Sequence, residues 1–129
     1  VAIHLIELVA RSLVQEGHSL ITSGSQGVNA AVIRGVLEVD PSQLTVLLPQ
    51  SLDRQAVEIR DLLDRVLHLV EKPEQDELPL PIASSLCNQE IISRCDQLIC
   101  LAFHDSETLL ASARTAEDMG KVVSLLYFD

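Results

Sequence analysis

Aromatic residues are nearly missing from this chain. Its 129 residues include two Phe, one Tyr and no Trp, although hydrophobic residues make up 47%. That apolar fraction excludes a disordered chain, and the core must be aliphatic. Basic residues are also scarce: nine Lys and Arg stand against nineteen Asp and Glu, for a net charge of −10. This balance argues against a surface built for long polyanions, whose affinity comes mainly from Lys and Arg.

Paired cysteines, long apolar runs and common catalytic motifs are lacking as well. Cys87, Cys95 and Cys100 form no Cys-x-x-Cys pair, so we expect reduced, mostly buried thiols and no metal site. No apolar run reaches the roughly 18 residues of a membrane span, and no signal-peptide pattern occurs, which predicts a cytoplasmic protein with no membrane partner. Serine-hydrolase triads, zinc-protease motifs and Walker loops are not found, so we expect no catalytic residue, no enzyme activity and no cofactor.

The segment 18–38 predicts a strand, a tight loop and a helix. Leu20 and Ile21 begin a short apolar strand, and a helix rich in Ala, Val and Ile begins at Val28. The loop between them leaves backbone N–H groups of the first helical turn without partners, and these groups can bind an anion. Gly24 and Gly27 permit a positive φ and the close approach of a phosphate to the main chain.

Side chains of the same segment complete a candidate ligand or phosphate site. Its members are Ser23, Gly24, Ser25, Gln26, Gly27 and Asn29, with Arg34 on the following helix. An ordinary β-to-α turn, with Ser25 or Gln26 near the helix cap, is the alternative interpretation. Ala30, Ala31 and Gly35 are small, and we expect them to let this helix lie close on a sheet.

The rest of the chain alternates between helical and strand patterns. An apolar stripe predicts a helix over 1–16 that ends at Gly17. Further helices are predicted over 28–38, from Ile59 to about Val70, over 82–95 and over 107–119. Strands are predicted over 44–48, 97–103 and 122–128, and a surface loop over 71–81. This order predicts one α/β domain over 1–129, with a Rossmann-like doubly wound parallel sheet and helices on both faces. Because such a fold normally opens with a strand, we expect a first strand and its loop to be missing from this sequence.

Polar clusters lie where the predicted strands end, and ligands bind at that edge of a parallel sheet. The clusters are Ser23–Asn29, Gln50–Arg54, Cys87–Glu90 and His104–Thr108, and we expect them to converge on one crevice. Asn88, Asp105 and Ser106 therefore join the candidate ligand-binding residues, although Asp105 and Ser106 also suit the cap of the next helix. His104 is a lone loop histidine, which is more often solvated than functional.

Four runs of the sequence are similar to segments of one known family. They are L-I-T-S-G-S-Q-G-V-N-A-A-V-I-R-G, L-T-V-L-L-P, C-N-Q-E-I-I-S-R-C-D-Q-L-I-C and A-E-D-M-G-K-V-V-S-L-L. The first resembles the S-G-x-A-x-G-I-D-x-x-A-H-x-G-A segment of the DNA-processing protein A (DprA/Smf) family. The third resembles its R-N-R-I-I-A-G-L-S-D stretch, and the other two resemble its next strand and its closing helix and strand. The resemblance covers nearly the whole chain and implies the family's Rossmann-like fold.

The DprA family binds single-stranded DNA, self-associates and loads a recombinase. The resemblance therefore implies single-stranded DNA or a nucleotide as ligand, a homodimer, and a recombinase as partner. By position, Gly24, Gly27, Asn29 and Arg34 match the family's glycine loop and following helix, and Asn88 matches the Asn of R-N-R. The two arginines that flank this Asn in the family are replaced here by Cys and Gln.

A nucleotide-binding or sensing module of the wider LOG/SLOG superfamily is the alternative. Enzymes of the LOG type carry P-G-G-x-G-T-x-x-E after the fourth strand, whereas this chain has F-H-D-S-E-T from Phe103. This alternative therefore implies nucleotide binding without catalysis. An interaction protein that keeps the fold but binds neither ligand is the third interpretation.

Overall fold

Helices and strands alternate along the chain, of which the computed structural model describes residues 2–103 and 107–128. The helices are α1 (Ala2–Gln15), α2 (Val28–Leu37), α3 (Val57–Leu63), α4 (Leu80–Arg94) and α5 (Glu107–Asp118). The strands are β1 (Leu20–Ser23), β2 (Leu44–Leu47), β3 (His68–Val70), β4 (Gln97–Phe103) and β5 (Val122–Phe128). Short 3₁₀ turns lie at Pro41–Gln43, Leu52–Arg54 and Pro73–Gln75. The described strand pairs are parallel, so the fold is α/β with parallel sheets.

Two compact units divide the chain, residues 1–87 and 88–129. In the first unit β1, β2 and β3 form a sheet in that order, with Leu20 opposite Leu44 and Thr45 opposite His68. Helices α2 and α3 connect these strands as two consecutive β-α-β units. In the second unit β4 pairs with β5, and α5 connects them. The single domain expected over 1–129 stays a prediction.

The core of the first unit surrounds the central strand β2. Leu44, Val46 and Leu47 have no solvent exposure, as expected for a continuous apolar run in a parallel strand that is buried on both faces. Fully buried side chains from α2 and α3, among them Ile33 and Leu63, pack in the same core. Aliphatic side chains thus fill the centre of the unit, as the composition predicts.

Helix α1 packs against α2. Its buried face consists of Ile6, Ala10 and Val14, which are spaced four residues apart and so lie on one side of the helix. Gly35 of α2 lies in this interface: a β-carbon there would come within 2.6 Å of the Glu7 carbonyl oxygen. The expectation that Gly35 brings α2 close to the sheet is therefore wrong, because the backbone that it approaches is that of α1.

Gly17 ends α1 as the sequence predicts. It has a φ of +96°, its N–H donates to the Val14 carbonyl, and the His18 N–H donates to the Leu13 carbonyl. This pair of bonds is the Schellman arrangement, which needs a residue in the left-handed region at the helix end. The chain can then turn directly into β1.

The predicted helix from Ile59 to about Val70 is wrong in its second half, where the structure has strand β3. The helix ends at Leu63, and His68 to Val70 pair with β2 instead. The apolar residues Ile59, Leu63, Val66 and Val70 keep a helical spacing by sequence, which conceals the end of α3. The pairing with β2 decides the outcome, because a local pattern contains no information on a distant partner strand.

The helices that the structure describes are short, and the longest of them, α4, has 15 residues. None of them combines the length and the apolar character that a membrane span requires.

Candidate functional site

The loop between β1 and α2 is held in place by Asn29. The Thr22 hydroxyl donates to Asn29 Oδ1 over 2.5 Å, and Asn29 Nδ2 donates to Ser25 Oγ over 2.5 Å. Thr22 is almost fully buried, whereas Ser25 is exposed. The amide of Asn29 therefore links the buried end of β1 to the exposed loop. The sequence places Asn29 among ligand-binding groups, and in the structure its amide braces the loop that would carry the ligand.

Gly27 is the N-cap of α2 and has φ +81° and ψ −121°. This conformation lies outside the regions that residues with a β-carbon adopt. No side chain caps the helix and no acidic residue lies in its first turn, while the Gly27 carbonyl accepts the first helical bond from Ala31 N. The N–H groups of the first helical turn therefore receive no hydrogen bond from a capping side chain. No carboxylate in that turn offsets the positive end of the helix dipole.

A glycine is required at position 24 by the packing of the core and not by the backbone conformation of the loop. It is buried, and its φ is not among the positive glycine values of the described residues. A β-carbon on Gly24 would overlap Leu48 Cδ2 and lie 3.3 Å from Leu63 Cδ2. The loop thus lies directly on two fully buried leucines, and only a residue without a side chain fits between them and the backbone.

A cleft of about 390 Å³ opens beside this loop, between α2 and α3. We call it the α2–α3 cleft. Its lining comprises Gln26, Gly27, Ala30, Arg34, Glu58, Ile59, Asp61, Leu62 and Arg65. The apolar members Ala30 and Ile59 are buried, whereas Gln26 and Glu58 are exposed. Five of the nine lining residues are polar or charged, and Ala30, Ile59 and Leu62 supply the apolar surface.

Arg34 lines the cleft and is held by an ion pair. Its Nε donates to Glu7 Oε1 over 2.7 Å, and its side chain is 40% exposed. A guanidinium has five N–H donors, so this bond fixes its position and leaves donor capacity for a ligand. Arg60, by contrast, supports the backbone of its own turn, since it donates to the carbonyls of Gln55 and Asp53.

The predicted site residues do not all come together. Ser23, Gly24, Ser25, Gln26, Gly27, Asn29 and Arg34 all belong to the first unit and lie at or near the loop and cleft. Asn88 lies on α4 and belongs to the second unit. His104, Asp105 and Ser106 lie outside the described residues. The convergence of four polar clusters on one crevice therefore stays a prediction.

The loop after β2 makes a different set of contacts. Gln50 is buried and its Nε2 donates to the carbonyls of Gln75 and Leu78 over 3.1 Å each. Ser51 donates through N and Oγ to the two carboxylate oxygens of Asp76, both over 2.8 Å. These bonds fasten the segment 71–79 across the end of β2. The sequence shows only a proline-rich acidic stretch here, and no local signal marks its partner.

Hydrogen bonding lowers the pKa of Asp76. The Ser51 backbone N–H is the largest cause, burial opposes it, and the Ser51 hydroxyl and the positive charge of Arg54 add to it. An ionised carboxylate accepts these bonds better than a protonated one does. The fastening of segment 71–79 is therefore strongest while Asp76 is charged.

Cysteines and metal-binding side chains add no second site among the described residues. No three His, Cys, Asp or Glu side chains described in the structure come close enough to hold a metal ion. The Cys87 thiol is buried and donates to the Leu47 carbonyl over 3.3 Å. Burial raises the pKa of Cys100, so its thiol stays protonated and unreactive at neutral pH.

Comparison with protein-family models, curated proteins and solved structures finds no match to this chain. The function must therefore be argued from the loop and the cleft.

Proposed function

We propose that this chain is a DprA-like, Rossmann-type domain that binds phosphate groups of single-stranded DNA at Ser23–Asn29. The observation that carries the proposal is the start of α2. Gly27, at φ +81°, opens the helix without a side-chain cap and beside a cleft. Backbone N–H groups arranged in this way bind phosphate, because they combine free donors with the positive end of a helix.

The β-α-β arrangement around the loop supports the same proposal. The loop follows β1 at its carboxyl end and leads into the helix that crosses to β2. Ligands of parallel α/β folds bind at this edge. We further propose that the chain has the Rossmann-like doubly wound fold of the DprA family, and that the domain acts in the cytoplasm as a homodimer with a recombinase partner.

Nucleotide binding without catalysis is the second candidate function. Glu58 and Asp61 line the cleft together with two arginines, and the whole chain carries a net charge of −10. Carboxylates in the lining repel a polyanion along its length, whereas a small ligand presents one phosphate and several hydroxyl donors. The mixed charge of the cleft is therefore the observation that supports a nucleotide as the ligand.

Fluorescence anisotropy with a labelled oligo-dT tests the first function. We expect binding that weakens strongly between about 50 mM and about 200 mM salt, since phosphate contacts release counterions. Gly27→Val should abolish this binding while the circular dichroism spectrum stays that of a folded chain. Gly17→Val is the matched control, because Gly17 also has a positive φ with open space around it but lies at the end of α1. Binding that survives Gly27→Val, or that Gly17→Val abolishes equally, would show that the loop is not the site.

A further inference from the structure

A strap of the chain, residues 71–79, lies across the carboxyl end of β2. In addition to the bonds from Gln50 and Ser51, the Leu52 N–H donates to Glu71 Oε1 over 2.7 Å. In the other direction, the Lys72 N–H donates to the Gln50 carbonyl over 3.2 Å. All of these bonds join the strap to one short run after β2, residues 50–52, so the strap has a single place of attachment there.

The attachment of the strap to β2 is polar. None of its residues, all of which the structure describes, is buried, and its one leucine, Leu78, is 36% exposed. The core cluster of the first unit includes no residue of the strap. Segments with few buried apolar contacts open more readily than the core does. Hydrogen bonds to residues 50–52 therefore decide how firmly the strap is closed.

The closed strap also leaves one acceptor unsatisfied. Gln75 Oε1 is shielded from solvent, and no donor among the described residues reaches it. A buried polar group without a hydrogen bond raises the free energy of the state that contains it. Opening of the strap exposes this oxygen to water, which offsets part of the loss of the bonds to residues 50–52.

Hydrogen bonds within the strap give it a shape of its own. The Gln75 N–H donates to the Lys72 carbonyl over 3.0 Å, and the Asp76 N–H donates to the Pro73 carbonyl over 3.1 Å. The Leu78 N–H donates to the Gln75 carbonyl over 3.0 Å. Because these bonds join residues of the strap to each other, they do not depend on contact with β2. The strap is thus built to leave β2 with its turns intact.

We infer that the strap opens as one unit from residues 50–52, while the rest of the first unit stays folded, and that this opening uncovers the carboxyl end of β2. Ligands of parallel α/β folds bind at that edge. Leu47 at the end of β2 lies opposite Ser23 at the end of β1, so the strap is a gate beside the loop between β1 and α2. The motion needs no ligand, and it stands whether or not that loop binds phosphate.

Hydrogen exchange of the full chain, followed by NMR at neutral pH, tests the opening. We use the N–H groups of Leu52 and Lys72 as reporters and expect one common opening equilibrium for both. This equilibrium should be at least about tenfold larger than that of Val46, which lies in the centre of β2 and has no solvent exposure. Ile33→Val, in the core, should speed the exchange of Val46 about threefold and leave both reporters unchanged, because the core stays folded when the strap opens.

Two variants of the strap should shift the opening in opposite directions. Asp76→Asn should speed the exchange of both reporters about tenfold, as loss of hydrogen bonds to a charged group does, although neither reporter bonds to Asp76. Gln75→Met removes the unsatisfied oxygen and should slow both reporters about fivefold. Glu74→Gln is the matched control, because Glu74 is an exposed acid of the same strap and takes no part in the bonds to residues 50–52.

The contrary results are distinct. If Ile33→Val speeds the reporters as much as Val46, the strap opens only when the unit unfolds, and the inference is overturned. An effect of Asp76→Asn that is confined to Ser51, or an equal effect of Glu74→Gln, also overturns it. Should Asp76→Asn fail to fold, Ile33→Val and Gln75→Met decide, and unchanged reporters in Gln75→Met overturn the inference.

Discussion

Gly35 lies directly against the backbone of Glu7. A β-carbon on Gly35 would come within 2.6 Å of the Glu7 carbonyl oxygen and 3.0 Å of Ala10 Cβ. Backbone atoms cannot rotate away as a side chain can, so the two helices would have to separate. The same Glu7 also holds Arg34 through its carboxylate. The crossing of α1 and α2 therefore fixes the position of an arginine that lines the cleft.

Gly35→Ala is expected to destabilise the protein by about 1 to 3 kcal/mol, the usual cost of overpacking. In an open helical position the same change stabilises by up to about 1 kcal/mol, because Ala is the better helix former. Urea denaturation followed by circular dichroism measures the difference. Ser12→Ala on the exposed side of α1 should change the free energy of unfolding by less than about 0.5 kcal/mol. A stabilised Gly35→Ala variant would show that the helices do not cross at this glycine.

Gly27→Ala is expected to cost more stability than Gly17→Ala. Neither new methyl group meets an atom within 4 Å, so backbone conformation alone sets the cost. Gly17 ends a helix in the left-handed manner, which costs a residue with a side chain about 1 to 2 kcal/mol. Gly27, at φ +81° and ψ −121°, lies outside that region, and its cost should approach about 3 kcal/mol. Thermal unfolding of both variants gives the order, and the reverse order would contradict the loop conformation.

Gly24→Ala is expected to couple to Leu48. Alone, the added methyl group should destabilise by about 1 to 3 kcal/mol, because Leu48 is fully buried and cannot move freely. Leu48→Ala alone should cost about 2 to 5 kcal/mol. The double variant should lose less than the sum, with a coupling energy of about 1 kcal/mol or more. Leu44→Ala, a fully buried leucine that is not among the nearest atoms to Gly24, should instead be nearly additive with Gly24→Ala.

Asp76→Asn is expected to destabilise the protein at neutral pH but not in acid. The pKa of Asp76 lies below its ordinary value of 3.8 in the folded protein, so the folded state holds a proton less readily than the unfolded state. Its contribution is therefore complete above pH 3.8 and disappears as the pH falls through the lowered pKa. Melting temperatures of both proteins, measured from about pH 7 down to about pH 2.5, should converge only at the acid end.

A constant gap between the two melting curves over this whole range would contradict the role of the ionised Asp76 carboxylate. Asp64→Asn is the control, because the Ser51 bonds go to Asp76 and not to the exposed Asp64, and it should not reproduce the loss of stability at neutral pH.

The sequence predicts the features that depend on neighbours along the chain. The stripe of α1, the stop at Gly17 and the buried run of β2 all follow from residues within one or two turns of each other, and the structure confirms them. What the sequence misses depends on distant partners. Strand β3 exists because β2 offers it hydrogen bonds, and the approach of Gly35 to Glu7 joins two helices.

The residues of the candidate site also fall into two groups, those predicted by their neighbours along the chain and those that depend on distant partners. The loop, its positive-φ glycine and Arg34 could be selected from one segment of 20 residues or so, because strand, loop and helix are continuous there. Glu58 and Arg65 could not, since nothing in their own segment indicates a cleft. Glu58 lies in the first turn of α3 and Arg65 follows the end of this helix, and only the packing of this segment against α2 brings both residues to one cleft.

Leu48 and Leu63 lie next to Gly24. The position of the loop, and with it the proposed binding of a ligand, therefore depends on these two buried side chains. A substitution that alters the volume of either leucine moves the loop without touching a ligand-contacting group. Substitutions in the interior can thus change the binding that we propose for the loop, while every loop residue stays the same. A mutant library restricted to Ser23–Asn29 would overlook this route, and one that randomises positions 48 and 63 would sample it.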